Sequence, residues 1–264
     1  MQKNFQITSK DNLAVKHYRK LRDNKKARRT EQLFVIEGLR IVKDALQYPF
    51  LIQQIFLTET FCHKYQDILQ QLQEIQIFYI PDYIGDYLTD TEHTQGIFAI
   101  CKMQKQKPIS ELLQSNGRYL VLCNLQDTGN MGMILRTCDA LGIDAVFTSC
   151  CCELYSPKTI RSAMGSALRV SVWDEANPMH LLELLQEQHI YNYASVPAKQ
   201  AVALTDCHFQ NGCAVWIGNE GNGLPEEIIS ACDNKITIPM RGGAESFNAA
   251  MAAGILAWEL MKTK

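Results

Sequence analysis

Two hydropathy patterns alternate along this 264-residue chain. Short apolar runs rich in β-branched and aromatic residues read as buried strands, and apolar residues three or four apart read as helix faces. In the first hundred residues the strands fall at 33–36, 52–57, 75–80 and 96–102, and the helices at 12–22, 39–46, 61–73 and 83–88. Leu13, Val15, Tyr18 and Leu21 interleave with Lys16, Arg19 and Lys20 in the first helix, and Arg28-Arg29 falls in a polar loop. This order predicts a small α/β domain on a mixed sheet. The stretch from Gln104 to Pro108 is polar up to its proline and buries nothing, which predicts a linker and a division into residues 1–106 and 107–264.

The second half keeps strand and helix in strict alternation. Strands are expected at 119–123, 145–148, 168–172, 191–195, 214–217 and 235–238, and helices at 130–141, from 156, at 180–188, after Leu224-Pro225 and after Ser246. Such alternation predicts a mostly parallel sheet with ligand loops at the carboxyl ends of its strands. Two of those loops are glycine-rich. Gly218, Gly221 and Gly223 follow the strand ending at Ile217, and Gly242 and Gly243 follow Pro239. Bare backbone there can approach a ligand closely. Asn130 and Ser246 are candidate helix caps.

Composition narrows the classes. The apolar fraction of 47% supports real cores. No apolar run reaches the roughly 18–20 residues of a membrane span, and the amino terminus does not read as a signal peptide, so a soluble cytoplasmic protein is expected. The ten cysteines lack zinc spacing, Cys150-Cys151-Cys152 included, and read as reduced thiols with no metal. The net charge of −2 hides an asymmetry. Residues 1–40 hold eleven cations against four carboxylates, a local excess of +7. That segment is either an electrostatic footprint for nucleic acid or a solvated amphipathic helix.

Asp127-Thr-Gly-Asn-Met-Gly132 lies between strand and helix but lacks GxGxxG, and neither a Walker loop nor a GxSxG elbow is present. A nicotinamide dehydrogenase is therefore poorly supported. Three loop segments carry more. They are Asn124-Leu-Gln-Asp-Thr-Gly-Asn-Met-Gly-Met-Ile-Leu-Arg-Thr137, Ile217-Gly-Asn-Glu-Gly-Asn-Gly-Leu224 and Ile238-Pro-Met-Arg-Gly-Gly-Ala-Glu-Ser-Phe-Asn248. In order and spacing they resemble the three motifs of the SpoU/TrmH family of RNA ribose 2′-O-methyltransferases, and Tyr155–Gly165 resembles the intervening segment. Phe34-Val-Ile-Glu-Gly38 and Thr94-Gln-Gly-Ile-Phe98 resemble the family's substrate-binding domain, which is similar to small ribosomal RNA-binding proteins.

The resemblance implies a knotted SPOUT methyltransferase domain, a homodimer, S-adenosylmethionine as methyl donor and an RNA substrate, with ribosomal RNA favoured by the amino-terminal domain and a tRNA ribose methyltransferase as an alternative. Gly218, Asn219, Ile238, Met240 and Phe247 take the cofactor positions. Asn130, Arg136, Glu220, Ser246 and Asn248 take the catalytic ones. Structural roles compete for the same residues: Gly218 as a turn, Ile238 and Phe247 as core, Asn130 as a cap, and Arg136 in an ion pair with Asp139. A guanidinium is a poor base, so Arg136 is expected to align the RNA and stabilise the ribose oxygen. The chain departs from the family at Phe247, usually leucine, at Thr128, commonly proline, and at Asn248-Ala-Ala250, usually Asn-Val-Ser. The last change removes a hydroxyl and keeps a non-catalytic RNA-binding protein as an alternative.

Overall fold

The computed structural model describes residues 4–48, 51–72, 75–198 and 200–262. The chain divides into two compact units, one of residues 1–105 with 153–168, the other of residues 106–152 with 169–264. Lys3 of the basic segment and Gln73, the last residue of the helix expected at 61–73, lie outside the described residues.

In the first unit β1 (Asn4–Gln6), α1 (Leu13–Asp23), α2 (Lys25–Glu31), β2 (Leu33–Glu37), α3 (Leu39–Ala45) and β3 (Ile52–Thr58) come first. They are followed by α4 (Glu59–Lys64), α5 (Gln66–Leu69), β4 (Gln76–Ile80), α6 (Asp82–Leu88) and β5 (Ile97–Lys102). The strands form one mixed sheet in the order β1-β4-β3-β5-β2, with β5 antiparallel to both its neighbours. Helix α1 starts where the Asn12 side chain accepts from the Ala14 N–H, and it buries Val15, Tyr18 and Leu21. Tyr18 meets Phe56 and Phe98 edge-on beneath it. Leu13, on the opposite face, is exposed.

Several sequence expectations fail here for local reasons. Arg28-Arg29 lies in α2, not in a loop, because Asn24 caps a new helix by accepting from the Ala27 N–H. The helix expected at 61–73 breaks at Tyr65, whose φ of −128° and ψ of 57° are not helical, and it continues as α5 and a 3₁₀ turn at Gln70–Leu72. Only Phe61, Ile68 and Leu72 are buried along it, too few to hold one straight helix against the sheet.

Part of the basic segment is also paired within its own unit. The Arg28 guanidinium, 5% exposed as a residue, meets both Glu153 carboxylate oxygens at 2.9 and 2.6 Å and donates from Nη1 to the Leu21 and Arg22 carbonyls. Arg22 donates to the carbonyls of Tyr87, Leu88 and Thr89 at the negative end of α6. Lys16 pairs with Asp11, Arg19 with Asp23, and Lys20 with Glu31. The segment 153–168 contributes Glu153, Tyr155, whose ring lies 4.6 Å from that of Phe34, and Arg161, 2.9 Å from Asp90.

The second unit continues with α7 (Ile109–Leu112), β6 (Arg118–Cys123), α8 (Thr128–Leu141) and β7 (Ala145–Ser149). Helix α9 (Pro157–Ala163) belongs to the first unit, and α10 (Ser166–Arg169) follows it. Then come β8 (Val172–Asp174), α11 (Pro178–Glu187), β9 (Tyr191–Ser195), β10 (Val202–Ala203), β11 (Cys213–Ile217), α12 (Glu226–Ala231), β12 (Asn234–Thr237) and α13 (Ala249–Lys262). The strand expected at 168–172 is split between α10 and a shorter β8; Arg169 is held on α10 by an ion pair with Asp139. The seven strands run in the order β10-β12-β9-β11-β6-β7-β8, every pair parallel.

From β6 the chain builds outward to β8, then reverses, and β11 is inserted between β6 and β9. That reversal puts a switch point at the carboxyl ends of β6 and β11, where open α/β sheets hold ligands. Trp216 is buried in this sheet with its indole N–H on Asn192 Oδ1 at 2.8 Å. Helix α13 returns onto α8, β6 and β11. It buries Ala249, Ala250, Ala253, Leu256, Ala257 and Leu260, and its small residues let Gly254 approach Thr137.

The buried pair makes a stability prediction. Glu153→Ala strands the Arg28 charge and is expected to cost about 3–5 kcal/mol, read as a lower urea midpoint, whereas Arg28→Met combined with Glu153→Ala recovers most of the loss.

Candidate functional site

At the end of β6 the chain turns through Asn124, at φ +59°, and its N–H is held by the Ser149 carbonyl of the neighbouring strand. Asp127 then caps α8 by accepting from the Asn130 N–H at 2.7 Å. Asn130 is therefore not the cap that the sequence suggested. It stands one turn inside the helix, buried, with its side chain free for other work.

The loop after β11 is a tight hairpin. Asn219 and Gly223 exchange both backbone hydrogen bonds at 2.9 Å, and Asn219 Oδ1 accepts from the N–H groups of Gly221 and Asn222. At Gly218 any Cβ would collide with the backbone of Gly223, so no other residue fits this return. The hairpin is tied to the β6 loop twice. Asn219 Nδ2 donates to the Asn124 carbonyl at 2.9 Å. Glu220 accepts from the N–H groups of Gln126 and Asp127 at 3.4 and 3.3 Å, and from Asn130 Nδ2 at 3.0 Å.

The third loop joins through Asn248. Its Nδ2 donates to Asn130 Oδ1 at 3.0 Å, while its own Oδ1 accepts from the N–H groups of Ala250 and Met251 at the start of α13. Asn248, and not Ser246, therefore caps that helix. Ser246 and Phe247 are exposed, as is the whole run from Arg241 to Asn248, while Ile238 and Met240 are half-buried. Three of the ten expected residues, Glu220, Asn130 and Asn248, thus form one chain of hydrogen bonds across all three loops, and Asn219 reinforces it. Ser246 has no hydrogen bond to that chain among the described residues.

Arg136 lies two turns into α8 on an exposed face with Met133 and Ala140. The ion pair with Asp139, the structural role that competed for this arginine, does not form, and Asp139 is paired with Arg169 at 2.7 Å. Arg136 makes no ion pair or hydrogen bond among the described residues. Its guanidinium is an accessible, uncommitted cation beside the three-loop assembly, on the helix that carries Asn130.

Burial alone would raise the Glu220 pKa, but the Asn130 amide and the backbone N–H groups of Glu220, Asp127 and Gln126 outweigh it and lower the value. Hydrogen bonds to a carboxylate favour its charged form. Around it, Cys123 and Cys151 are pushed up to about 11 and about 12 by burial, which keeps them as thiols. Asn124, Gln126 and Asp127 were not among the expected site residues. The readable signal was the polar run between a strand and a helix, with an aspartate three residues ahead of Asn130.

Residues 117–258 match the model of the SpoU rRNA Methylase family, and residues 12–99 match that of the MRM3-like substrate binding domain. The 23S rRNA (guanosine(2553)-2′-O)-methyltransferase RlmP of Bacillus subtilis is 31% identical over 97% of this chain and 98% of its own. An AdoMet-bound rRNA methyltransferase from Sinorhizobium meliloti superposes with a TM-score of 0.88 at 24% identity, covering 98% of both chains. The SpoU methyltransferase AviRb of Streptomyces viridochromogenes, in complex with the cofactor AdoMet, gives 0.85 at 20% identity over 95% of this chain and 97% of its own. These two structural likenesses speak for the fold.

The Glu220 contacts predict a pH dependence. A lowered folded value means that the loop tie is fully present above the ordinary 4.5 and is lost as pH falls through the depressed one. In a nuclear magnetic resonance titration the Gln126 and Asp127 amide shifts are expected to move together with a midpoint below 4.5, and Glu220→Gln abolishes the step.

Proposed function

The chain belongs to the SpoU rRNA methylase family, and from that premise we propose that it transfers a methyl group from S-adenosylmethionine to a ribose 2′-hydroxyl of ribosomal RNA. The observation that carries the reading is the Glu220–Asn130–Asn248 chain, which gathers the three motif loops at the switch point of the parallel sheet. When bound, S-adenosylmethionine supplies an electrophilic sulfonium methyl group. The residues present fit it. Gly218 and Asn219 offer close-lying backbone, and Ile238, Met240 and Phe247 offer apolar surface for an adenine on a loop that is otherwise polar.

The protein's task is then alignment. Glu220, Asn130 and Asn248 position the loops. Arg136 projects from α8 with its charge unspent, holds the RNA phosphate and ribose, and stabilises the 2′-oxygen as its proton leaves to water or to a phosphate oxygen. Ser246, exposed beside Phe247, is a further contact for the substrate. Ala250 is buried at the foot of α13 with its N–H on Asn248, so the helix cap is made without the missing hydroxyl, and family membership favours the catalytic reading over the non-catalytic one.

The reading extends to a homodimer, a cytoplasmic setting and the family's knot. The domain division is proposed near residue 106, an amino-terminal RNA-binding part followed by the methyltransferase part. Met133 on α8 and Met251 and Trp258 on α13 are large exposed apolar side chains on helices that pack together, a surface suited to a second copy. The return of α13 onto α8, β6 and β11 is the kind of packing that a threaded carboxyl terminus would require. Among the described residues no helix is long and apolar enough to cross a membrane.

Labelled methyl transfer to ribosomal RNA from cells lacking the protein, followed by mass mapping of the ribose methyl group, tests the activity and separates ribosomal from transfer RNA. Arg136→Lys is expected to lower turnover about 100-fold with donor affinity unchanged, since it removes the planar fork and keeps the charge. In sedimentation, Trp258→Glu is expected to shift a dimer to monomer.

A further inference from the structure

The cations of residues 1–40 divide sharply by what they touch. Lys16, Arg19, Lys20, Arg22 and Arg28 are paired with carboxylates of the same unit, and Lys10 lies over the Tyr83 and Tyr87 rings. Lys25, Lys26 and Arg29 are exposed on one short helix, α2, and, like Arg40 alone at the start of α3, make no ion pair among the described residues. Their spacing puts Arg29 beside Lys25 at i+4 and beside Lys26 at i+3, while Ala27 and Arg28 between them face inward.

This arrangement opposes three local preferences. Lys25 and Lys26 sit in the first turn, at the positive end of the helix dipole, where no acidic residue accompanies them. Like charges at i+3 and i+4 repel. The one carboxylate on α2, Glu31, is turned away to His17 and Lys20. In contrast, Lys20 and Arg22 close α1 at its negative end, where cations belong. An uncompensated positive cluster at a helix start carries a small local cost, which an external anion covering it relieves.

We propose that the exposed face of α2, through Lys25, Lys26 and Arg29, is a docking surface for the phosphate backbone of the RNA substrate. The inference rests on the methyltransferase reading for the identity of its partner, and it singles out three clustered side chains among the exposed cations of the first unit, which include Arg40 and Lys43 on α3. A phosphate-tracking surface sets affinity and its salt dependence without selecting the nucleotide.

The experiment compares wild type with the triple variant Lys25→Gln, Lys26→Gln, Arg29→Gln. A second triple variant, Lys16→Gln, Arg19→Gln, Lys20→Gln, loses the same charge from paired positions. Each is checked for folding by circular dichroism and titrated with protein-free ribosomal RNA from cells lacking the protein, between about 50 and about 300 mM salt. The α2 variant is expected to bind roughly 10-fold more weakly or worse and to lose about 2 from the slope of log K against log salt, at about 0.7–0.9 per cation. Donor affinity by calorimetry and turnover at saturating RNA stay at wild-type values.

The proposal is overturned if the α2 variant keeps the wild-type affinity and slope, or if the control variant loses as much. Wild type that binds the RNA while the α2 variant is unaffected removes only this surface. Wild type that neither binds RNA nor methylates it removes the functional reading and the proposal together. Charge reversal by Arg29→Glu alone provides a second measure, expected to weaken binding further than Arg29→Gln.

Discussion

One carboxylate organises the candidate site. Glu220 stands on a hairpin that only glycine at position 218 allows to close, and it accepts from two backbone N–H groups and one amide of the loop after β6. Remove it, and the hairpin retains a single side-chain tie to that loop, from Asn219 to the Asn124 carbonyl. The carboxylate also fixes the orientation of Asn130. With its Nδ2 engaged by an acceptor, Asn130 must present Oδ1, and that is the atom which receives the Asn248 amide. Charge at Glu220 therefore sets the polarity of the whole chain of hydrogen bonds, through to the cap of α13.

The sheet makes this possible. Because β11 is inserted next to β6, the loops that follow them start side by side. Helix α13, whose small residues permit close packing on α8, then brings its own amino terminus up to Asn130. Three segments separated by up to 118 positions meet through one carboxylate, two side-chain amides and backbone N–H groups. Arg136 sits on the same helix as Asn130, so the element that is fixed by the hydrogen bonds also carries an exposed cation that makes no ion pair or hydrogen bond among the described residues.

Charge in the first unit follows a different logic. Most of its basic residues serve the fold: Arg28 is locked on Glu153, and Arg22 terminates α6. A positive excess in the sequence is thus a poor measure of positive surface, since burial and pairing consume much of it. What remains exposed and unpaired on α2 is small, and it is concentrated where a helix least tolerates it.

The sequence by itself determined the alternation of strands and helices, because apolar period and run length report burial directly. It also marked the three loops that come together in the fold, because glycine and polar runs between a strand and a helix stand out from the apolar elements. It misread which polar side chain takes which partner. The cap of α8 passed from Asn130 to Asp127, and the cap of α13 from Ser246 to Asn248. The Asp139 partner passed from Arg136 to Arg169, and a basic loop became helix α2. The caps were settled locally, by which side chain reaches an N–H two or three residues on, whereas Asp139 was claimed by Arg169, a residue brought close only by folding. Order along the chain is a one-dimensional signal. Which polar atom finds its partner is a distance in three dimensions, and only the tertiary structure decided it.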